Sequence, residues 1–200
     1  MATVTKLEKL LKEVRSCRTC EDELPLGPNP VLRAKRSAKI LVIGQAPGTK
    51  VHVSGVPWDD ASGKRLRDWM RIDDEIFYNQ AKIAIMPMSF CYPGKGKSGD
   101  LPPRVECAAL WHKKLLTNLP NIKLTLLIGQ YAQNYYLRDS KCYNGATVAE
   151  TVINWKKYAP NYFPLPHPSP RNSMWLRKNS WFENKTIPQL RRYVHNALRD

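Results

Sequence analysis

Four short apolar runs punctuate the chain: "AKILVIG" at 38–44, "KIAIMPM" at 82–88, "KLTLLIG" at 123–129 and the extended "YFPLPHP" at 162–168. They are near-continuous rather than alternating, the pattern of strands buried on both faces. Helical spacing lies between and around them. Residues 6 to 16 place Leu7, Leu10, Leu11 and Val14 on one face of a short amphipathic helix that ends at Cys17. "SGKRLRDWM" (62–70) reads as a helix with Ser62 at its N-cap. "RVECAALWHKKLLTNL" (104–119) reads as another, with Val105, Ala108, Ala109, Trp111 and Leu115 turned inward, and "GATVAETVINWKKY" (145–158) as a third. "PQLRRYVHNALR" (188–199) closes the series with Leu190, Val194 and Leu198 on one side. The alternation β-α-β-α-β-α-β-α predicts a parallel sheet covered by helices on both faces, with ligands at the strands' carboxyl ends. The loops "GQAPG" and "HPSPRN" begin at two such ends, so they are expected to converge on one crevice. No internal repeat or low-complexity tract interrupts the pattern.

At 200 residues and 42% hydrophobic, the chain suits one domain spanning 1–200. No run approaches 18 uncharged apolar residues and the amino terminus lacks a basic-then-apolar signal, so a cytoplasmic, nucleoid-associated protein without a membrane partner is expected. We expect a monomer. Charge adds a partner: 32 Lys+Arg against 17 Asp+Glu give a formal +15, which implies a polyanion, most commonly nucleic acid. Lys64, Arg65, Arg67, Arg171, Arg177, Lys178, Arg191 and Arg192 recur among Trp and Tyr, a mixture that suits phosphate contacts beside base stacking.

Two segments imitate phosphate loops. "GQAPG" lacks the later glycines of a dinucleotide fingerprint, and Pro47 has no backbone donor. "GKGKSG" (94–99) ends like a nucleotide-binding loop in Gly96-Lys97-Ser98, but position 91, where its first Gly belongs, is Cys. Nucleotide hydrolysis is therefore disfavoured. Five cysteines occur: Cys17 and Cys20 form C-x-x-C, Cys91 and Cys107 have fifteen residues between them, and Cys142 is left over. A redox C-x-x-C of the thioredoxin kind follows a strand, whereas this one follows a helix. Two thiol pairs suit tetrahedral ligation of zinc or of an iron-sulfur cluster, and the residues alone do not separate these from four buried thiols.

"KILVIGQAPG", "SGVPWDDASGKRLRDWM", "CYPGKGKSGDLPPRVEC" and "LPHPSPRN" together, in this order, resemble the uracil-DNA glycosylase superfamily from Cys17 to Trp181. The nearest likeness is to its iron-sulfur branch, family 4. That resemblance implies a three-layer α/β/α fold with a four-stranded parallel sheet, and a [4Fe-4S] cluster, with zinc the alternative, on Cys17, Cys20, Cys91 and Cys107. It also implies excision of uracil or a related deaminated base from single- or double-stranded DNA by a monofunctional enzyme, leaving an abasic site.

Such excision separates a departing base anion from an oxocarbenium-like sugar, with the base turned out of the helix. His167 matches the histidine of the superfamily's second motif, which would donate to the base oxygen where negative charge gathers; as a plain residue it is a loop histidine. Asp59 and Asp60 are paired acids able to activate water or face the sugar, or to cap the helix that follows. Resemblance to family 5 favours Asp60. Trp58 takes the place of the aromatic that stacks on the flipped base, and the backbone donors of Gln45 and Ala46 would cradle a base oxygen. The run Pro168-Ser169-Pro170-Arg171-Asn172 is similar to the single-strand-selective branch, where it would enter the minor groove and fill the vacated stack. Trp175, Arg177 and Lys178 would extend that DNA surface.

The pattern departs in two places. Gln45 replaces the Glu of family 4, and Pro87 replaces an Asn that reads the uracil edge four positions before the cysteine. Proline cannot supply paired donor and acceptor contacts. Ser89, Asn172 and Gln45 are the candidates to replace it. Two other functions follow from these departures: a DNA damage sensor or base-trapping protein without turnover, or a metal-stabilised nucleic-acid module without base chemistry.

Overall fold

The structure is a computed structural model that describes residues 4–97, 99–143 and 145–199. Ser98, the last residue of the imitation nucleotide loop, lies outside them. Helix α1 (Lys6–Arg15) starts at a capping box in which Thr5 and Glu8 satisfy each other's backbone N–H. Its buried face, Leu7, Leu10, Leu11 and Val14, is the one the spacing predicts.

Strands β1 (Ile40–Ile43) and β2 (Ile83–Ile85) pair in parallel. Between them lie α2 (Thr49–Ser54), α3 (Ala61–Met70) and α4 (Asp74–Tyr78). A two-stranded antiparallel ribbon follows, β3 (Lys95–Gly96) with β4 (Gly99–Asp100). The predicted helix at 104–119 is α5 (Val105–Cys107), a π-helical segment at Ala108–His112, and α6 (Lys113–Thr117). The extra residue per turn in the middle rotates the buried stripe, so Cys107, Ala108, His112 and Leu115 face in while Val105 and Ala109 are exposed. The remaining elements are β5 (Leu124–Ile128), α7 (Gln130–Leu137), α8 (Val148–Ile153), β6 (Tyr162–Leu165), α9 (Ser173–Lys178) and α10 (Ile187–Arg199).

The sheet is all-parallel in the order β2-β1-β5-β6. Every residue of β1 is buried, and the period of two divides it between two cores. Leu41 and Ile43 pack with α1, α6 and α7; Ile40 and Val42 pack with α3 and α10. Helices therefore cover both faces, giving the three-layer α/β/α architecture. Pro164 is accommodated because β6 is an edge strand. From β1 the chain moves to one neighbour, β2, and later returns to the other side as β5, so a topological switch point lies at the carboxyl end of β1. Among the described residues no helix is long and apolar enough to cross a membrane.

Candidate active site

A cavity of about 460 Å³ opens at that switch point, lined by Gln45, Ala46, Pro47 and Gly48 after β1, by Trp58 and Asp60 before α3, and by His167, Ser169, Arg171 and Asn172 after β6. The two loops expected to converge do so. Pro87 and Asp100 complete the wall. Asp59 is exposed and outside the lining.

Trp58 is the tightest part of the site. Its backbone is left-handed, at φ 60°, a conformation a bulky residue adopts only when its surroundings impose it. Three contacts do so. Its carbonyl accepts hydrogen bonds from Arg67 Nη1 (3.2 Å) and the Tyr78 hydroxyl (3.3 Å), and Arg67 is held in turn by Asp74 at 2.6 Å. The same carbonyl stands where Gly63 would carry a side chain: a Cβ there would be 1.7 Å from it. The indole lies over Gly44, 2.8 Å from where a Cβ would stand, and its ring centroid is 5.7 Å from that of His167 at 32°. The strained turn thus lays an aromatic surface between the strand end and the histidine.

Asp60, not Ser62, caps α3: Asp60 Oδ1 accepts from the Gly63 amide at 2.8 Å, and Ser62 is buried inside the first turn. The cap reading and the pocket reading of Asp60 both hold, because it caps the helix and lines the cavity.

His167 is fixed by its own loop. Nδ1 accepts from the Ser169 amide at 3.2 Å, which leaves the proton of the neutral ring on Nε2. Burial holds this histidine below its usual pKa, against the opposing pull of Asp60 and Asp100, so the neutral donor is the favoured form. Asn172 Nδ2 donates to the His167 carbonyl at 2.8 Å, and Ser169 Oγ accepts from the Arg171 amide at 3.2 Å within the tight turn Pro170–Asn172. Arg65 of α3 reaches across to the carbonyls of Pro168 (3.3 Å) and Ser169 (3.1 Å). This ties the histidine loop to the helix that Asp60 caps. Arg65, Arg67 and Arg191, read from sequence as phosphate contacts, are directed inward; Arg191 donates to the carbonyls of Trp69 and Asp68. Arg171 stays at the cavity rim, and Arg177 and Lys178 are exposed at the end of α9 outside the cavity lining.

The other wall is pinned from behind. His112 is buried, stacked against Phe90 and Tyr136. Its Nε2 lies 3.2 Å from the Pro87 carbonyl and its Nδ1 2.6 Å from the Tyr136 hydroxyl. A carbonyl only accepts, so Nε2 donates to Pro87 and the tyrosine donates to Nδ1. The Pro87 carbonyl is thereby engaged away from any bound base. Gln45 Nε2 donates to the Leu101 carbonyl at 3.0 Å, tying the β1 loop to the exit of the β3–β4 ribbon. Ser89 is fully buried and donates to the Cys91 carbonyl, and it does not line the cavity.

Cys17, Cys20, Cys91 and Cys107 line a second, small cavity with Arg104 and Trp111 on the far side of His112, while Cys142 is exposed and apart. Burial raises Cys91 to about 11 and Cys107 to about 12, and charge on Cys17 and Cys20 pushes both in the same direction. Burial also works against ionisation of Cys17, but Thr19 outweighs it and holds that thiol below its usual value. Among the described residues no three His, Cys, Asp or Glu side chains close on a single point as a one-ion site requires.

A model of the uracil DNA glycosylase superfamily matches residues 32–191. The chain belongs to this superfamily. Its members are in general DNA glycosylases, hydrolases of base-excision repair that act on DNA, and apart from Val31 the matched span contains the residues that line the cavity at the switch point. Cys17 and Cys20 precede that span. Two features of this superfamily member escaped sequence reasoning. Asp100 lies in "CYPGKGKSGDLPPRVEC", a segment read for its cysteines and its imitation nucleotide loop but not for this carboxylate, and the inward roles of Arg65 and His112 depend on partners 103 and 25 residues away.

Proposed function

We propose that this superfamily member hydrolyses the N-glycosidic bond of uracil, or of a related deaminated base, in DNA and releases an abasic site. The observation that carries the reading is the meeting, in one cavity, of the neutral His167 with its proton on Nε2, the Asp60 carboxylate, and the Trp58 ring held in a strained turn. Trp58 offers a stacking surface for the flipped base. The amides of Gln45 and Ala46 and the Nε2–H of His167 stabilise negative charge on the departing base. The Asp60 carboxylate balances the charge that develops on the sugar at its anomeric carbon. Ser169, Pro170, Arg171 and Asn172 form the rigid rim that meets the DNA, with Arg177 and Lys178 beyond it.

Cys17, Cys20, Cys91 and Cys107 would hold a [4Fe-4S] cluster. Four thiols lining one small cavity supply the all-sulfur donor set that group takes, with zinc the alternative. Its chemistry would be structural: deprotonation of the buried Cys91 and Cys107 thiols on binding and a link from α1 to the 91–107 segment.

A second reading, base recognition or trapping without turnover, draws on Pro87, which lines the cavity with its carbonyl engaged by His112. One comparison separates the two. Wild type, Asp60→Asn and His167→Ala are incubated with oligonucleotides carrying uracil or hypoxanthine, followed by alkali. We expect cleavage at the lesion by wild type and a loss of about 100-fold or more in each variant with DNA affinity little changed. Full activity in both variants contradicts the site assignment. A stable protein–DNA adduct on denaturing gels supports trapping.

A further inference from the structure

The cavity holds a carboxylate that the superfamily reading leaves without a role. Asp100, an exposed residue, ends the β3–β4 ribbon and lines the same cavity as Asp60. Its position is fixed from three sides. The Gln45 side chain holds the next residue's carbonyl at 3.0 Å, and the Leu101 amide donates to Gly94 at 2.9 Å. One Asp100 carboxylate oxygen lies 3.7 Å from where a Cβ of Gly48 would stand, so the side chain rests against the β1–α2 loop. Arg171, from the histidine loop, reaches over the neighbouring Gly99, its Nη1 2.5 Å from where a Cβ would be. The ribbon and the histidine loop therefore meet across the mouth, and Asp100 lies on the cavity side of that meeting.

Its surroundings separate it from Asp60. One Asp60 oxygen is committed to the Gly63 amide, whereas the Asp100 carboxylate has no hydrogen bond or ion pair among the described residues, its backbone pairing with Lys95 in the ribbon. A carboxylate with uncommitted oxygens beside an open cavity can accept a hydrogen bond from the attacking water, whereas one oxygen of Asp60 is already engaged in capping α3.

We propose that Asp100 is a second catalytic carboxylate, which holds the attacking water while Asp60 balances the charge of the sugar. The inference rests on the glycosylase reading. In the step, the bond between the anomeric carbon and the base nitrogen breaks with its electron pair on the base. The water oxygen bonds to that carbon, and its proton passes to Asp100 and then to solvent or the released base. An anion belongs on the water's side of the sugar rather than beside the departing base, where it would oppose the developing charge; His167 and the Gln45–Ala46 amides serve that other end. Consistent with a shared field, Asp60 and Asp100 are the two groups that act electrostatically on His167.

The test is single-turnover excision by wild type, Asp100→Asn, Asp100→Ala and the ribbon control Lys95→Ala on the oligonucleotide that wild type cuts. Affinity for a non-hydrolysable 2′-fluoro analogue is measured alongside. We expect Asp100→Asn to lower the rate about 100-fold with analogue affinity nearly unchanged, and Lys95→Ala to match wild type. Added formate should restore part of the Asp100→Ala rate, a rescue that a merely structural role would not show. Wild-type cleavage that Asp100→Asn retains, or a loss in Asp100→Ala that formate does not rescue and that weaker analogue binding accounts for, overturns this inference alone. No cleavage by wild type overturns the glycosylase reading and this inference with it.

Discussion

Gly63 and Trp58 show how one residue's conformation fixes another's identity. The Trp58 carbonyl occupies the space a side chain at 63 would need, and two donors, Arg67 and Tyr78, hold it there. Gly63→Ala should therefore destabilise the protein by about 3 kcal/mol, read as a lower midpoint in urea, because a rigid backbone atom must shift. An unchanged midpoint would show that the turn is free to relax. The sequence marked this region by "PWDDASG", where residue type alone did not separate the two acids and resemblance favoured Asp60. Asp59 and Asp60 are chemically identical and adjacent, and only the backbone path after Trp58 turns Asp60 to the cavity and leaves Asp59 exposed. Ser62 was the natural N-cap by residue type; the helix begins one residue earlier than its pattern suggests, and Asp60 takes the role.

Elements with a strong apolar pattern were legible: α1 and all four strands of the sheet fall within the segments their patterns mark, and α10 begins one residue before its own, at Ile187. Others carried no such signal. Helix α7 reads QYAQNYYL, with tyrosine and amide side chains on every face, and the β3–β4 ribbon is built from Gly, Lys and Asp. Such segments are fixed by tertiary contacts rather than by period. The π-helical turn at Ala108–His112 also left no mark on the pattern, yet it turns His112 into the core. This has a consequence for acid stability. Burial lowers the His112 pKa from 6.5 to about 4. The unfolded chain therefore binds a proton below pH 6.5 that the folded one refuses, and stability falls as pH drops from 6.5 towards 4, by up to about 3 kcal/mol. His112→Gln should flatten the dependence of the melting temperature on pH across that window. An equally steep profile in the variant would place the acid sensitivity elsewhere.

Across the whole molecule, the sheet order places every proposed catalytic group at one end, and the four thiols line a separate cavity behind Pro87 and His112. The convergence of the β1 and β6 loops could be read from sequence because the α/β pattern fixes where strand ends lie. The distribution of charge could not. Three of the arginines that make the chain basic bind backbone carbonyls within the fold, which composition does not reveal. The formal +15 still predicts a salt-dependent DNA complex. Neutralising about six phosphates gives a slope of roughly −5 in log affinity against log salt, measurable by fluorescence anisotropy, and a slope near zero would contradict DNA as the partner. The central claim, turnover at a base in DNA, is tested most directly by single-turnover incubation of the wild-type protein with a uracil-containing oligonucleotide, with released base and abasic sites quantified together. Equal amounts of free uracil and abasic DNA are the predicted result. DNA bound tightly with its uracil intact, or held in a covalent adduct without free base, would contradict it.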